Sequence, residues 1–194
     1  VSELGNFSEV VLIRHGSTSW SESGRHTGRT DIYLDERGRI EAEGLAARVP
    51  KRIELVCSSP LRRALDTARL SGLSSAPVVL EDLVEWDYGE YEGLTTAEIR
   101  RVRPGWDLFR DGCPGGEDAA SVGRRVDRVL DALGLMPDAD RVVALVAHGH
   151  LLRVLCARFL GLAPGAGALF ALDAGSVGSL GFEREQRVLK RWNS

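Results

Sequence analysis

Six consecutive apolar residues, Val142 to Ala147 (VVALVA), run without any polar alternation and stop abruptly at His148-Gly149-His150. A strand with one wet face alternates, whereas a strand covered on both faces reads as a continuous apolar run, the signature of a parallel sheet between helical layers. A second β-branched run, Val10 to Arg14, stops just as abruptly at His15-Gly16. A third predicted strand, Leu55 to Cys57, leads into Ser58-Ser59-Pro60, and a fourth is expected at Val78 to Leu80. Between them lie segments with helical periodicity: Asp35 to about Val49 through Ile40, Leu45 and Val49, Leu61 to Leu70, Glu117 to Leu133, and a segment from His150 to about Leu160. Alternating strand and helix predict an α/β fold, a three-layer α/β/α sandwich around a mostly parallel sheet. Asp82 to Gly93 and Pro104 to Gly116 read as structured loops, and Ala168 to Trp192 as two or three short strands turning near Glu183 to Gln186.

The chain's 194 residues are expected to form a single domain, residues 1–194, since no Gly/Ser-rich linker divides them. The net charge of −3 argues against a dedicated nucleic-acid binder. No apolar run reaches the length of a membrane-spanning helix, and Val1 to Val10 shows no basic segment followed by an apolar core. A cytoplasmic protein is therefore expected. Cys57, Cys113 and Cys156 are widely spaced and form no CxxC pair, so neither a zinc knuckle nor a dithiol site is indicated, and Cys57 and Cys156 read as buried core residues.

In open α/β sheets ligands bind beyond the carboxyl ends of the strands. Arg14-His15-Gly16, Ser58-Ser59-Pro60-Leu61-Arg62-Arg63 and His148-Gly149-His150 are all expected at that edge. Together they supply guanidinium forks, imidazoles and a helix N-terminus, a set suited to a phosphoryl group. A zinc site built from His15, His148, His150 and Glu85 is disfavoured by the guanidinium of Arg14 beside it. Serine hydrolysis finds only a broken nucleophile elbow at Gly175-Ser176-Val177-Gly178. Arg62 reads as a solvated helix face.

Several motifs in order resemble branch 1 of the histidine phosphatase superfamily, the phosphoglycerate mutase-like branch. They are LIRHGSTSW at Leu12 to Trp20, GRHTGRTDIYL at Gly24 to Leu34, SSPLRRALDTA at Ser58 to Ala68, the acidic segment from Glu85 to Leu94, GGE at Gly115 to Glu117, and AHGHLLR at Ala147 to Arg153. The resemblance spans nearly the whole chain and implies a phosphoglycerate mutase-like fold. It makes His15 the phosphate-accepting histidine, Arg14 and Arg63 the phosphoryl clamp, and His148 the second histidine, which would be protonated. Glu85 becomes the proton donor to the leaving oxygen, and Gly16 the glycine that lets the backbone approach the phosphate. No metal or other cofactor is implied.

Within the branch the chain is similar to acid phosphatases and sedoheptulose-1,7-bisphosphatase-like members. Residues 94–99 lack the lysine of the mutases' basic insertion, and Trp86, Ser21 and His150 replace mutase residues, which weighs against mutase activity. The resemblance therefore implies a metal-independent phosphomonoester hydrolase acting on small phosphorylated metabolites, sugar phosphates or bisphosphates, through a phosphohistidine. A broad acid phosphatase, a phosphoglycerate mutase and a phosphoprotein phosphatase are the alternatives. Ser21, Thr27, Gly28, Ser59, Tyr88, His150 and Arg153 are the expected substrate-side residues, with Arg153 the candidate for a distal phosphate. The expected partner is a small-molecule phosphate ester, with no nucleic acid and no membrane, and a homodimer is left open.

Overall fold

A computed structural model describes residues 4–194. Val1 to Glu3, part of the expected domain and of the segment searched for a leader, lie outside the described residues. The strands are β1 (Glu9–Arg14), β2 (Leu55–Ser58), β3 (Val78–Val79), β4 (Val142–Ala147), β5 (Val177–Glu183) and β6 (Gln186–Arg191). They form one sheet in the order β3-β2-β4-β1-β5-β6. The first four run parallel, and β5 and β6 add an antiparallel edge. The helices are α1 (Ser19–Glu22), α2 (Glu36–Glu43), α3 (Arg62–Leu70), α4 (Thr96–Val102), α5 (Leu108–Asp111), α6 (Ala119–Ala132) and α7 (Gly149–Phe159).

Successive strand side chains alternate between two cores, which is how the continuous apolar runs are used. Val10, Leu12, Val143 and Leu145 pack against Val122, Val126 and Val129 of α6 and Leu152 and Leu155 of α7. Val11, Ile13, Ala144 and Val146 pack on the opposite side against Ala42 of α2 and Ala64 and Ala68 of α3. The three-layer α/β/α architecture with a mostly parallel sheet is thus present, and Cys57 and Cys156 are buried within it.

Some local expectations are corrected. The helix capped by Asp35 ends at Glu43 and gives way to a 3₁₀ turn at Leu45–Ala47. Ile40 is 63% exposed, and the inward face is Gly38, Ala42 and Leu45. Backbone contact explains the rotation: a Cβ on Gly38 would lie 2.1 Å from the Ser17 carbonyl, so α2 turns that residue toward the loop that follows β1. The loop expected at Pro104–Gly116 contains α5, and α4 precedes it. The tail holds two strands only, preceded by a 3₁₀ turn at Pro164–Leu169, with Arg184 at positive φ in the turn between β5 and β6.

Candidate active site

Strand register sets the site. Arg14 pairs with Ala147 across β1 and β4, and Ser58 pairs with Val146 across β2 and β4. His15, Ser59 and His148 therefore leave three adjacent strands at one level. The His15 and His148 rings meet edge to face with centroids 5.1 Å apart. Nδ1 of His15 donates to the Gly16 carbonyl at 2.7 Å, which leaves the Nε2 lone pair free. Burial, helped by Arg63 and Arg14, pushes the His15 pKa well below its ordinary value, so the ring is neutral.

Two guanidinium groups flank this ring. Arg14 donates to the Leu172 carbonyl, and Arg63, fully buried, donates to the carbonyls of Thr30 (2.9 Å), Thr27 (3.1 Å) and Gly28 (2.8 Å). His148 is the N-cap of α7, and its Nε2 lies 2.8 Å from the Ser59 hydroxyl. That hydroxyl also accepts from the Leu61 amide at 3.3 Å, and its own hydrogen is available to donate to His148 Nε2, the arrangement that places the imidazole hydrogen on Nδ1. Burial and the cationic neighbours, Arg63 first, depress the His148 pKa well below 6.5. The protein's own groups, taken alone, thus favour a neutral His148.

Glu85 approaches from the loop between β3 and α4. Its Oε1 accepts from the amides of Trp86 (2.8 Å) and Leu151 (2.9 Å), and its Oε2 from that of His150 (3.0 Å). The carboxylate therefore caps α7 and sits beside both histidines' segment. Arg14, His15 and Glu85 share a cavity of about 250 Å³ with Ser21, Thr27, Tyr88, His150 and Arg153. Among the described residues no group of three or more His, Cys, Asp and Glu side chains is arranged to hold a metal ion.

The sequence profile of the histidine phosphatase superfamily (branch 1) matches residues 10–194. The chain belongs to branch 1 of the histidine phosphatase superfamily. It is 45% identical over 184 residues to an acid phosphatase of Mycobacterium tuberculosis, covering 93% of this chain and 89% of that one. A sedoheptulose 1,7-bisphosphatase of Saccharomyces cerevisiae is 32% identical over 182 residues, with 78% and 67% covered. Among solved structures, a mycobacterial glucosyl-3-phosphoglycerate phosphatase in complex with VO3 superposes with a TM-score of 0.84 at 34% identity, covering 97% of this chain and 100% of that chain. The chain is a histidine phosphatase, a phosphomonoester hydrolase.

In this histidine phosphatase several of the expected site residues also make structural contacts. A Cβ on Gly16 would lie 2.2 Å from the Gly38 carbonyl, so packing against α2 is what requires glycine there. Gly28 holds Arg63 through its carbonyl and binds Glu92 through its amide, while the hydroxyl of Ser21 is spent in a capping box with Thr18. The anion site expected at the start of α3 is taken by Asp31, which accepts from the Arg62 amide at 2.8 Å. Arg62 itself is exposed and stacks over Tyr33, as expected of a surface residue. Arg153 does reach the cavity, with Nε and Nη2 on the carbonyls of Gly167 and Ala168 and its guanidinium 4.6 Å above Phe109.

Two residues escaped the sequence reading. His26 is buried in the cavity wall between Tyr88 and Trp106. Arg125 of α6 donates to both carboxylate oxygens of Glu117 and to the carbonyls of Asp82, Val84 and Glu85, clamping the segment that carries Glu85. Its signal was its place one turn from Val122 and Val129, on the inward face of α6.

Proposed function

We propose that this phosphatase hydrolyses small phosphorylated metabolites, sugar phosphates or bisphosphates, through a phosphohistidine on His15 and without a metal ion. One observation carries the reading. Among the described residues, the buried side-chain nitrogen or oxygen atoms without a hydrogen-bond partner are Arg14 Nε, Arg63 Nε and His148 Nδ1. Buried polar atoms are nearly always paired. Three unpaired nitrogens from the residues around one nucleophilic imidazole make a receptor for the oxygens of a tetrahedral anion.

In this mechanism the Nε2 lone pair of neutral His15 attacks phosphorus while the P–O bond to the alcohol breaks. Arg14, Arg63 and His148 hold the equatorial oxygens. Glu85 gives a proton to the departing oxygen, then takes one from the water that attacks phosphorus and returns His15 to its free form. Approach of the anionic phosphoryl group favours a proton on His148, against the depression caused by its cationic neighbours. The names of the yeast and mycobacterial relatives support the substrate class, and the free Nη1 of Arg153 supports a distal anionic or hydroxyl group.

We place the enzyme in the cytoplasm, as one catalytic domain working on a small-molecule ester. A panel of phosphate esters assayed with chelator present tests the reading. Phosphate release by the wild type and its loss in His15→Ala are expected, whereas release that requires an added divalent metal refutes it.

A further inference from the structure

The reaction cavity continues into a second chamber of about 180 Å³, and the two share His26, Thr96, His150 and Arg153 as walls. His26 is 9% exposed, and its backbone is fixed on both sides, the amide donating to the Leu94 carbonyl and the carbonyl accepting from the Gly93 amide. Its ring lies 4.8 Å from that of Tyr88 and 5.5 Å from that of Trp106. Among the described residues, the single polar contact of the ring is Nε2 to the Thr96 hydroxyl at 3.4 Å, at the outer limit of a hydrogen bond. A core histidine kept for structure would have both nitrogens paired. Here Nδ1 has no protein partner among the described residues, and the ring lines both chambers.

His150 stands beside it, with ring centroids 5.9 Å apart, and repeats the pattern. Its Nδ1 is taken by Tyr88, and its Nε2 has no protein partner among the described residues. Burial keeps both rings neutral, holding the His26 pKa at about 4 and that of His150 well below 6.5, and among the described residues no carboxylate pairs with either ring. A neutral imidazole offers one donor and one acceptor, the complement of a hydroxyl group.

We propose that His26, acting with His150, is a specificity-determining residue that hydrogen-bonds hydroxyl groups of the departing alcohol, so that the paired chambers select phosphate monoesters of polyhydroxylated alcohols over simple alkyl esters. The inference rests on the phosphatase reading above and refines it at the leaving-group side.

The test compares sorbitol 6-phosphate with n-hexyl phosphate, esters of similar length that differ in their hydroxyls, on the wild type, His26→Phe and His26→Gln. Wild-type kcat/KM should favour sorbitol 6-phosphate. His26→Phe keeps an aromatic ring between Tyr88 and Trp106 and should narrow that ratio by about 3- to 10-fold, mainly through KM, the worth of one neutral hydrogen bond. His26→Gln should restore part of it. Equal wild-type preference for the two esters overturns the inference and leaves the phosphatase reading standing, and it does so without depending on how either variant folds. A His26→Phe loss that is the same on both esters overturns it too. A wild type that releases phosphate from p-nitrophenyl phosphate but from neither ester overturns the inference alone, and one inactive on all three contradicts the phosphatase reading, with which this inference falls.

Discussion

Replacing Arg125 by methionine removes the clamp behind Glu85 while keeping an unbranched side chain of similar reach. Arg125 is 7% exposed and makes two bonds to the Glu117 carboxylate, at 2.9 and 3.0 Å, and three to backbone carbonyls at 2.7 to 3.1 Å. Without it the Glu117 carboxylate, whose side chain is 18% exposed, keeps only the Asp87 amide as donor, and the carbonyls of Val84 and Glu85 lose a buried partner. Breaking one side of a buried ion pair costs about 3–5 kcal/mol. At about 2–4 °C per kcal/mol for a chain of this size, the melting temperature should fall by roughly 6–20 °C. Urea unfolding gives the free energy, and a double variant with Glu117→Gln, which removes the stranded charge, should recover part of the loss. Because the Glu85 carbonyl is one of the clamped atoms, turnover of alkyl esters should fall more than that of aryl esters. A loss below about 1 kcal/mol, the range of an exposed ion pair, would refute the reasoning.

Glu85→Gln should slow sugar phosphates by about 10²- to 10⁴-fold and spare p-nitrophenyl phosphate, whose leaving group needs little protonation, so equal losses would remove Glu85 from the role of acid. Arg153→Ala should lower kcat/KM for sedoheptulose 1,7-bisphosphate by about 10- to 150-fold, the worth of one charge-assisted bond, and change an aryl phosphate much less; a uniform loss would place Arg153 in the scaffold. Stability should fall with acidity: His26 titrates at about 4 in the fold and near 6.5 unfolded, so protons bind the unfolded chain first as pH drops. From pH 6.5 to 4 this one group removes roughly 3 kcal/mol, and His15, His148 and His150 act in the same direction. Urea unfolding at several pH values should show a shallower slope for His26→Phe, and an identical slope would rule out His26 as a contributor.

The central architecture was legible because buried parallel strands must be apolar throughout and must end where the chain turns polar. That logic brought His15, His148 and the Ser59 segment to one edge across 133 residues of sequence. Helices α4 and α5 were less legible, being short and set among Gly and Pro, although Thr95 and Glu98 carry the capping-box spacing and do make that box. The exposure of Ile40 and the need for glycine at position 16 depend on the close backbone approach between α2 and the loop that follows β1, which no periodicity reports. His26 sits in a polar, irregular segment, and only the three-dimensional meeting of Tyr88, Trp106 and His150 around it reveals a functional ring. Arg63 was placed by resemblance. What the sequence could not convey is that its fork is held by three carbonyls of one loop, while Nε is left without a protein partner.

The most direct measurement is a rapid quench into alkali during turnover of a ³²P-labelled ester, followed by peptide mapping of the protein-bound label. The account predicts acid-labile, base-stable label on His15 alone, absent in His15→Ala and undiminished by chelator. Label on another residue, or turnover that persists in His15→Ala, would contradict it.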